Sequence, residues 1–173
     1  KSRMSKPRLS RKACIIILVC CVALVAVYKL FLSAPLANSE LMKSLISSAY
    51  KAVENPEDYE ARSNIMWCAT LGLNKITGCS KEQDWEVHAI EHQVGAYTDC
   101  PHGVGLSIVS IPYYKHIYKY GLPKFVRFAK NVWGVCTEGK TDDEIALEGI
   151  EKLREFSAHM GIPQTLREVG ATE

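Results

Sequence analysis

The 173-residue sequence predicts an all-α protein, a bundle of about six or seven helices preceded by one apolar N-terminal helix. Three observations carry this expectation. From Leu36 onward, apolar residues return at steps of three and four, the spacing of one helix face. Capping residues stand ahead of several of these stripes. No stretch of the body alternates with period two for long enough to argue for a sheet, and no repeat or low-complexity tract interrupts it. Short connections between such helices point to a bundle.

The first element differs in chemistry from the rest. Residues 1–35 hold seven Lys or Arg and no acid, whereas 36–173 hold fourteen Lys or Arg against nineteen Asp or Glu. Two segments are therefore expected, a basic N-terminus with a signal-anchor-like helix over 1–35 and a helical domain over 36–173. Lys1, Arg3, Lys6, Arg8, Arg11 and Lys12 precede an uncharged run from Ala13 to Tyr28, and LFLSAPLA resumes after Lys29. A membrane span needs about 20 apolar residues, and a terminal lysine can snorkel, so residues 13–34 read as a short membrane anchor. The run is apolar on every face, unlike an amphipathic soluble helix. The positive-inside rule would keep the basic end in the cytosol and carry the acidic body across, giving a single-pass membrane protein. Without that segment the expected location is cytoplasmic. Seven cysteines without a CxxC pair read as reduced thiols, which fits poorly with a translocated body. The acidic body offers no electrostatic footprint for nucleic acid.

NSELMKSLISSAYKAVE places Leu41, Leu45, Ile46, Ala49 and Val53 near one helix face. Asn55, with Pro56, Glu57 and Asp58 behind it, supplies an N-cap, a first-turn proline and acids suited to the dipole of a second helix. That helix, YEARSNIMWCATLGLNKI, carries Met66, Trp67, Ala69, Thr70, Leu71 and Leu73 on most of its faces, as expected in the middle of a bundle. After Gly78, Ser80–Gln83 forms a capping-box pattern before a third helix in which Trp85, Ala89, His92 and Ala96 make one stripe with His88 beside it. A fourth helix is expected over 102–120, bent or ended at Pro112. PKFVRFAKNVWG is a fifth. Thr141–Glu144 is a second capping box, opening a helix with Ala146, Ile150, Leu153 and Met160 at helical steps, and Gly161 ends it before a terminal turn at Pro163.

Three of the five histidines, His88, His92 and His102, lie in DWEVHAIEHQVGAYTDCPHGVG. The four-residue step from His88 to His92 puts two imidazoles on one face, and His102 follows Pro101 at the start of the next helix. Neutral imidazole is the commonest protein ligand for a divalent metal. A bare HxxxH is more often one packed and one solvent-facing histidine, but the third histidine and Gly103 and Gly105 beyond it favour a site. Glu91 stands between the pair, which admits a zinc hydrolase with Glu91 as base, although HExxH sets its glutamate on the other side. Asp84, His88 and His92 form a ladder about 12 Å long on a straight helix, too long for all three to reach one ion. Asp84 is better placed as an acid on the helix dipole. Cys100 fits no zinc-finger spacing.

VHAIEHQVGAYTDCPHGVGLSIV, with NPEDYEARSNIMWCATLGLN before it and YKYGLPKFVRFAKNVWGV after it, resembles the C-terminal helical domain of the iron-containing alcohol dehydrogenase family, nearest its butanol dehydrogenase-like branch. The resemblance runs from about Leu36 to the C-terminus. It implies a divalent metal, iron or zinc, held by His88 and His102, with His92 near the nicotinamide and alcohol as a proton relay. The metal would act as a Lewis acid on an alcohol, and NAD or NADP would accept the hydride. The expected substrate is a small alcohol or aldehyde, and association into a homo-oligomer is in keeping with the family. The family's shell is completed by an Asp and a His four residues apart on an earlier helix, and no histidine precedes His88. The glycine-rich dinucleotide-binding unit is also absent from these residues. Two imidazoles fall short of a stable catalytic site, so the chain alone is expected to bind metal weakly, hold no nicotinamide and show little activity.

The reading is thus the C-terminal portion, a fragment, of a metal-dependent NAD(P)-linked alcohol dehydrogenase. Its rival is a non-enzymatic, membrane-anchored helical module that pairs with a full-length relative. The zinc hydrolase stands third.

Overall fold

A computed structural model describes residues 37–74 and 84–171. They form six α-helices with no strand among the described residues: α1 (Ala37–Glu54), α2 (Tyr59–Leu73), α3 (Glu86–Thr98), α4 (His102–Ile117), α5 (Leu122–Trp133) and α6 (Asp142–His159). Two 3-10 turns, Tyr118–Gly121 and Arg167–Val169, follow α4 and α6. The expected anchor over 13–34 and the capping box at Ser80–Gln83 lie outside the described residues. Among the described residues no helix is long and apolar enough to cross a membrane.

The apolar character of α4 explains its place at the centre. Every residue from Gly103 to Ser110 is buried, as a helix without a polar face must be. It packs on α3 along one side and on α6 along another, α5 lies on α6, and α1 bridges α2 and α5. Leu45, Ile65, Val87, Leu106, Ile150 and Phe156 are the largest fully sealed apolar side chains of the shared core. Phe156 receives the Tyr50 ring edge-on at 5.6 Å and the Trp133 ring at 6.0 Å. Pro112 sits inside α4 without ending it, and Tyr118 at the helix end donates to Asp143 Oδ1 at 2.9 Å, tying α4 to the start of α6. The Thr141–Glu144 capping box forms as the sequence indicates, and Gly161 closes that helical segment with φ of 74°.

Two expectations about α2 are corrected. Its N-cap is Asp58, whose carboxylate accepts from the Ala61 N–H at 2.9 Å. Asn55 instead accepts from the Glu57 N–H, closing a local turn that delays the helix by three residues. Nor does α2 occupy the middle of the bundle. Ala61, Ile65, Cys68, Ala69 and Gly72 face α1, while Met66 and Trp67 are 60% and 61% exposed. Its apolar surface is two stripes, and the described residues cover one.

Candidate metal centre

The α3–α4 pair is held at both ends by polar contacts. Asp84 precedes α3 and accepts from the Glu86 N–H at 2.8 Å, so it lies ahead of the helix and not on a ladder with His88 and His92. The Tyr113 hydroxyl, from α4, donates to Glu86 Oε2 at 2.6 Å and to Asp84 Oδ2 at 3.1 Å. Burial first, and then these two carboxylates, push the Tyr113 phenol well above its ordinary range, so it remains a donor. At the other end Asp99 adopts the left-handed conformation, with φ of 54°, and Pro101 at φ of −58° launches α4. The chain reverses there, which returns His102 to the flank of α3.

The buried face of α3 is Val87, His88 and Glu91, three and four residues apart. His92 is rotated onto the exposed side together with Trp85, Ala89 and Ala96, the stripe seen in the sequence. His102 is 45% exposed at its side chain, whereas Glu91 is 2% exposed. Glu91 Oε2 and His102 Nδ1 are hydrogen-bond partners. An ionised carboxylate only accepts, so with Glu91 ionised the pairing places a hydrogen on Nδ1, and in the neutral imidazole Nε2 then keeps its lone pair. The centroid of His102 is 5.3 Å from that of His88 and 5.4 Å from that of His92. The Trp85 ring meets His88 edge-on at 5.1 Å.

A space for the Glu91 side chain is cut by two glycines. A Cβ placed on Gly105 would stand 2.6 Å from Glu91 Oε1 and 2.7 Å from its Cγ, and one on Gly95 would stand 3.3 Å from Oε1. The carboxylate therefore fills a slot between α3 and α4. This placement corrects the hydrolase reading, in which Glu91 would face an open site as a base. The role that sequence reasoning missed is this pairing with His102, although Glu91 lies three residues after His88 and thus shares its face.

The donor set suits a divalent ion in part. With metal–nitrogen bonds near 2.0–2.1 Å, two imidazoles on one tetrahedral ion have centroids about 5 Å apart, the spacing seen between His102 and its neighbours. Among the described residues, Glu91, His92 and His102 can bring one ligand atom each within 4.8 Å of one another. His88 adjoins His102 by ring contact without belonging to that convergent group, and Asp84 and Cys100 stand outside it.

An all-helical domain with three imidazoles gathered where two helices meet is the class these features define. The chain belongs to the iron-containing alcohol dehydrogenase family: residues 35–173 match the model of the Fe-containing alcohol dehydrogenase family, C-terminal. It is 40% identical over 131 residues to NADH-dependent butanol dehydrogenase A of Clostridium acetobutylicum, covering 75% of this chain and 33% of the relative. Over 130 residues it is 33% identical to the NADPH-dependent aldehyde reductase YqhD of Escherichia coli, again 75% of this chain and 33% of the relative. The crystal structure of a butanol dehydrogenase A from Thermotoga maritima superposes with a TM-score of 0.80 at 30% identity, covering 95% of this chain and 42% of that one. The chain spans about a third of the length of the curated relatives it matches.

Proposed function

We propose that this chain is the C-terminal helical part of a metal-dependent, NAD(P)-linked alcohol or aldehyde oxidoreductase, with His88 and His102 as ligands of a divalent iron or zinc ion and His92 as proton carrier. The observation that carries the reading is the meeting of three imidazoles at the α3–α4 junction, at ring spacings of 5.3 and 5.4 Å, in a chain related to butanol dehydrogenases and an aldehyde reductase. When bound, such an ion supplies Lewis acidity that lowers the pKa of an alcohol hydroxyl. His88, buried on α3, and His102, at the head of α4, donate from two helices fixed to each other by Tyr113. His92 is exposed beside them and can pass a hydroxyl proton to solvent. Hydride chemistry belongs to the nicotinamide. Among the described residues there is no strand, hence no sheet crevice for a dinucleotide, and the nicotinamide would be held elsewhere.

A second reading is a non-catalytic module that pairs with a full-length relative, in keeping with a chain that spans about a third of the length of the curated relatives it matches. The apolar run over 13–34 supports membrane anchoring in either case, tested by alkaline extraction of membranes, and self-association is tested by light scattering. Zinc or cobalt titration of the chain and of its His88→Ala and His102→Ala variants tests the ligands. Weaker binding in both is expected, and unchanged binding in both removes the assignment. An alcohol-dependent reduction of NAD or NADP by the chain alone, abolished by a chelator, would overturn the second reading.

A further inference from the structure

We propose that Glu91 is a positioning residue of this centre, a buried carboxylate that fixes the orientation and the tautomer of His102. The proposal rests on the reading of His102 as a metal ligand. Glu91 is 2% exposed, and a carboxylate so deep is tolerated only when its oxygens are engaged. Oε2 is the hydrogen-bond partner of His102 Nδ1, from the helix that follows. Oε1 lies in the slot beside Gly95 and Gly105. A methyl on Gly105 would overlap the Oε1 and Cγ atoms, so α4 approaches α3 in a way that reserves room for this one side chain.

The consequence for His102 follows from imidazole chemistry. Which ring nitrogen carries the hydrogen is set by the bond the other makes, and a ligating histidine commonly gives its second N–H to a carboxylate. With Nδ1–H held by Glu91, Nε2 presents its lone pair. His102 is 45% exposed at its side chain, with the His88 and His92 rings beside it, and its Nδ1 is paired with Glu91. Glu91 could instead be a ligand itself, since it can converge with His92 and His102 within 4.8 Å. Its Oε2 is already paired with Nδ1 and its Oε1 lies beside Gly95 and Gly105, which favours positioning over ligation.

The test uses the full chain in detergent, free of metal at pH 8, with 15N-labelled histidine and long-range proton–nitrogen correlation spectra; loss of one spin system in His102→Gln assigns that residue. His102 is expected to carry its hydrogen on Nδ1 in the native chain and in Glu91→Gln, whose amide oxygen still accepts. It is expected to shift toward Nε2–H in Glu91→Leu, and in Gly105→Ala, which displaces the carboxylate without removing it. Zinc affinity should fall roughly 10–100-fold in Glu91→Leu and be largely restored in Glu91→Gln. A native His102 with hydrogen on Nε2, alone or with Nδ1, overturns the proposal, and needs no variant to fold. An equal loss of zinc affinity in Glu91→Gln and Glu91→Leu with the tautomer unchanged overturns it in favour of direct ligation. If zinc leaves the His102 nitrogen shifts unmoved, it is the ligand reading of His102 that fails, while the tautomer data still decide whether Glu91 sets the ring.

Discussion

Gly149 of α6 lies directly against Ala129 of α5: a Cβ on Gly149 would stand 2.6 Å from the Ala129 Cβ and 2.9 Å from its Cα. Backbone, not a flexible side-chain tip, is the obstacle, so the two helices cannot absorb a methyl by a rotamer change. Gly149→Ala should therefore destabilise the domain by about 1–3 kcal/mol through overpacking, despite the better helix propensity of alanine. Urea unfolding followed by circular dichroism measures it, and a variant as stable as the native chain would contradict this packing.

Tyr113 joins α4 to the start of α3 through two carboxylates. Tyr113→Phe keeps the ring and removes the donor. A loss of about 1 kcal/mol is expected, reduced from the usual value for bonds to charged groups because Glu86 is exposed. Amide exchange should speed up in the first turn of α3 and remain slow in α6.

Acid should loosen the start of α6 by a definite route. The Thr141 backbone N–H, and then its hydroxyl, hold the Glu144 carboxyl below its ordinary value of 4.5. A group with a depressed folded pKa stabilises fully above its unfolded pKa and loses that contribution as pH falls through the folded value. Glu144→Gln should thus be less stable than the native chain at neutral pH, and the difference should shrink as pH drops below about 4. Thermal melts across this range read the gap directly.

His92 is exposed, and the function proposed above gives it proton transfer rather than ligation. His92→Ala should accordingly keep native zinc affinity, in contrast to His88→Ala and His102→Ala. A loss in His92→Ala as large as in those variants would make all three histidines ligands.

On α2, Trp67 is 61% exposed and Ile65 is 1% exposed. Trp67→Ser should change stability by no more than about 0.5 kcal/mol, whereas Ile65→Ala should cost about 2–5 kcal/mol. Equal effects would show that the outer stripe of α2 is covered.

These residues also show which parts of the fold were legible. The stripe of Leu45, Ile46 and Ala49, the capping box at Thr141 and the stop at Gly161 are local patterns, and each appears where the sequence places it. Helix α2 misled because its composition reports how apolar it is and not which side has a neighbour. Asn55 and Asp58 are both good caps, and the turn that Asn55 makes with Glu57 decided between them. The histidine spacing pointed to the gathering of three imidazoles, yet the Glu91–His102 pair depends on the reversal at Asp99, a tertiary event with no signature in either residue alone.

The slot between the helices ties the histories of positions 91 and 105 together. A larger residue at 105 is harmful while glutamate occupies 91, and a small residue at 91 leaves an empty space while glycine occupies 105. Descent from such a sequence has a preferred order, in which 91 shrinks before 105 grows. Gly105→Ala should accordingly be better tolerated in a Glu91→Ala background than alone, a sign of epistasis between two residues that need not change the fold to constrain how it evolves.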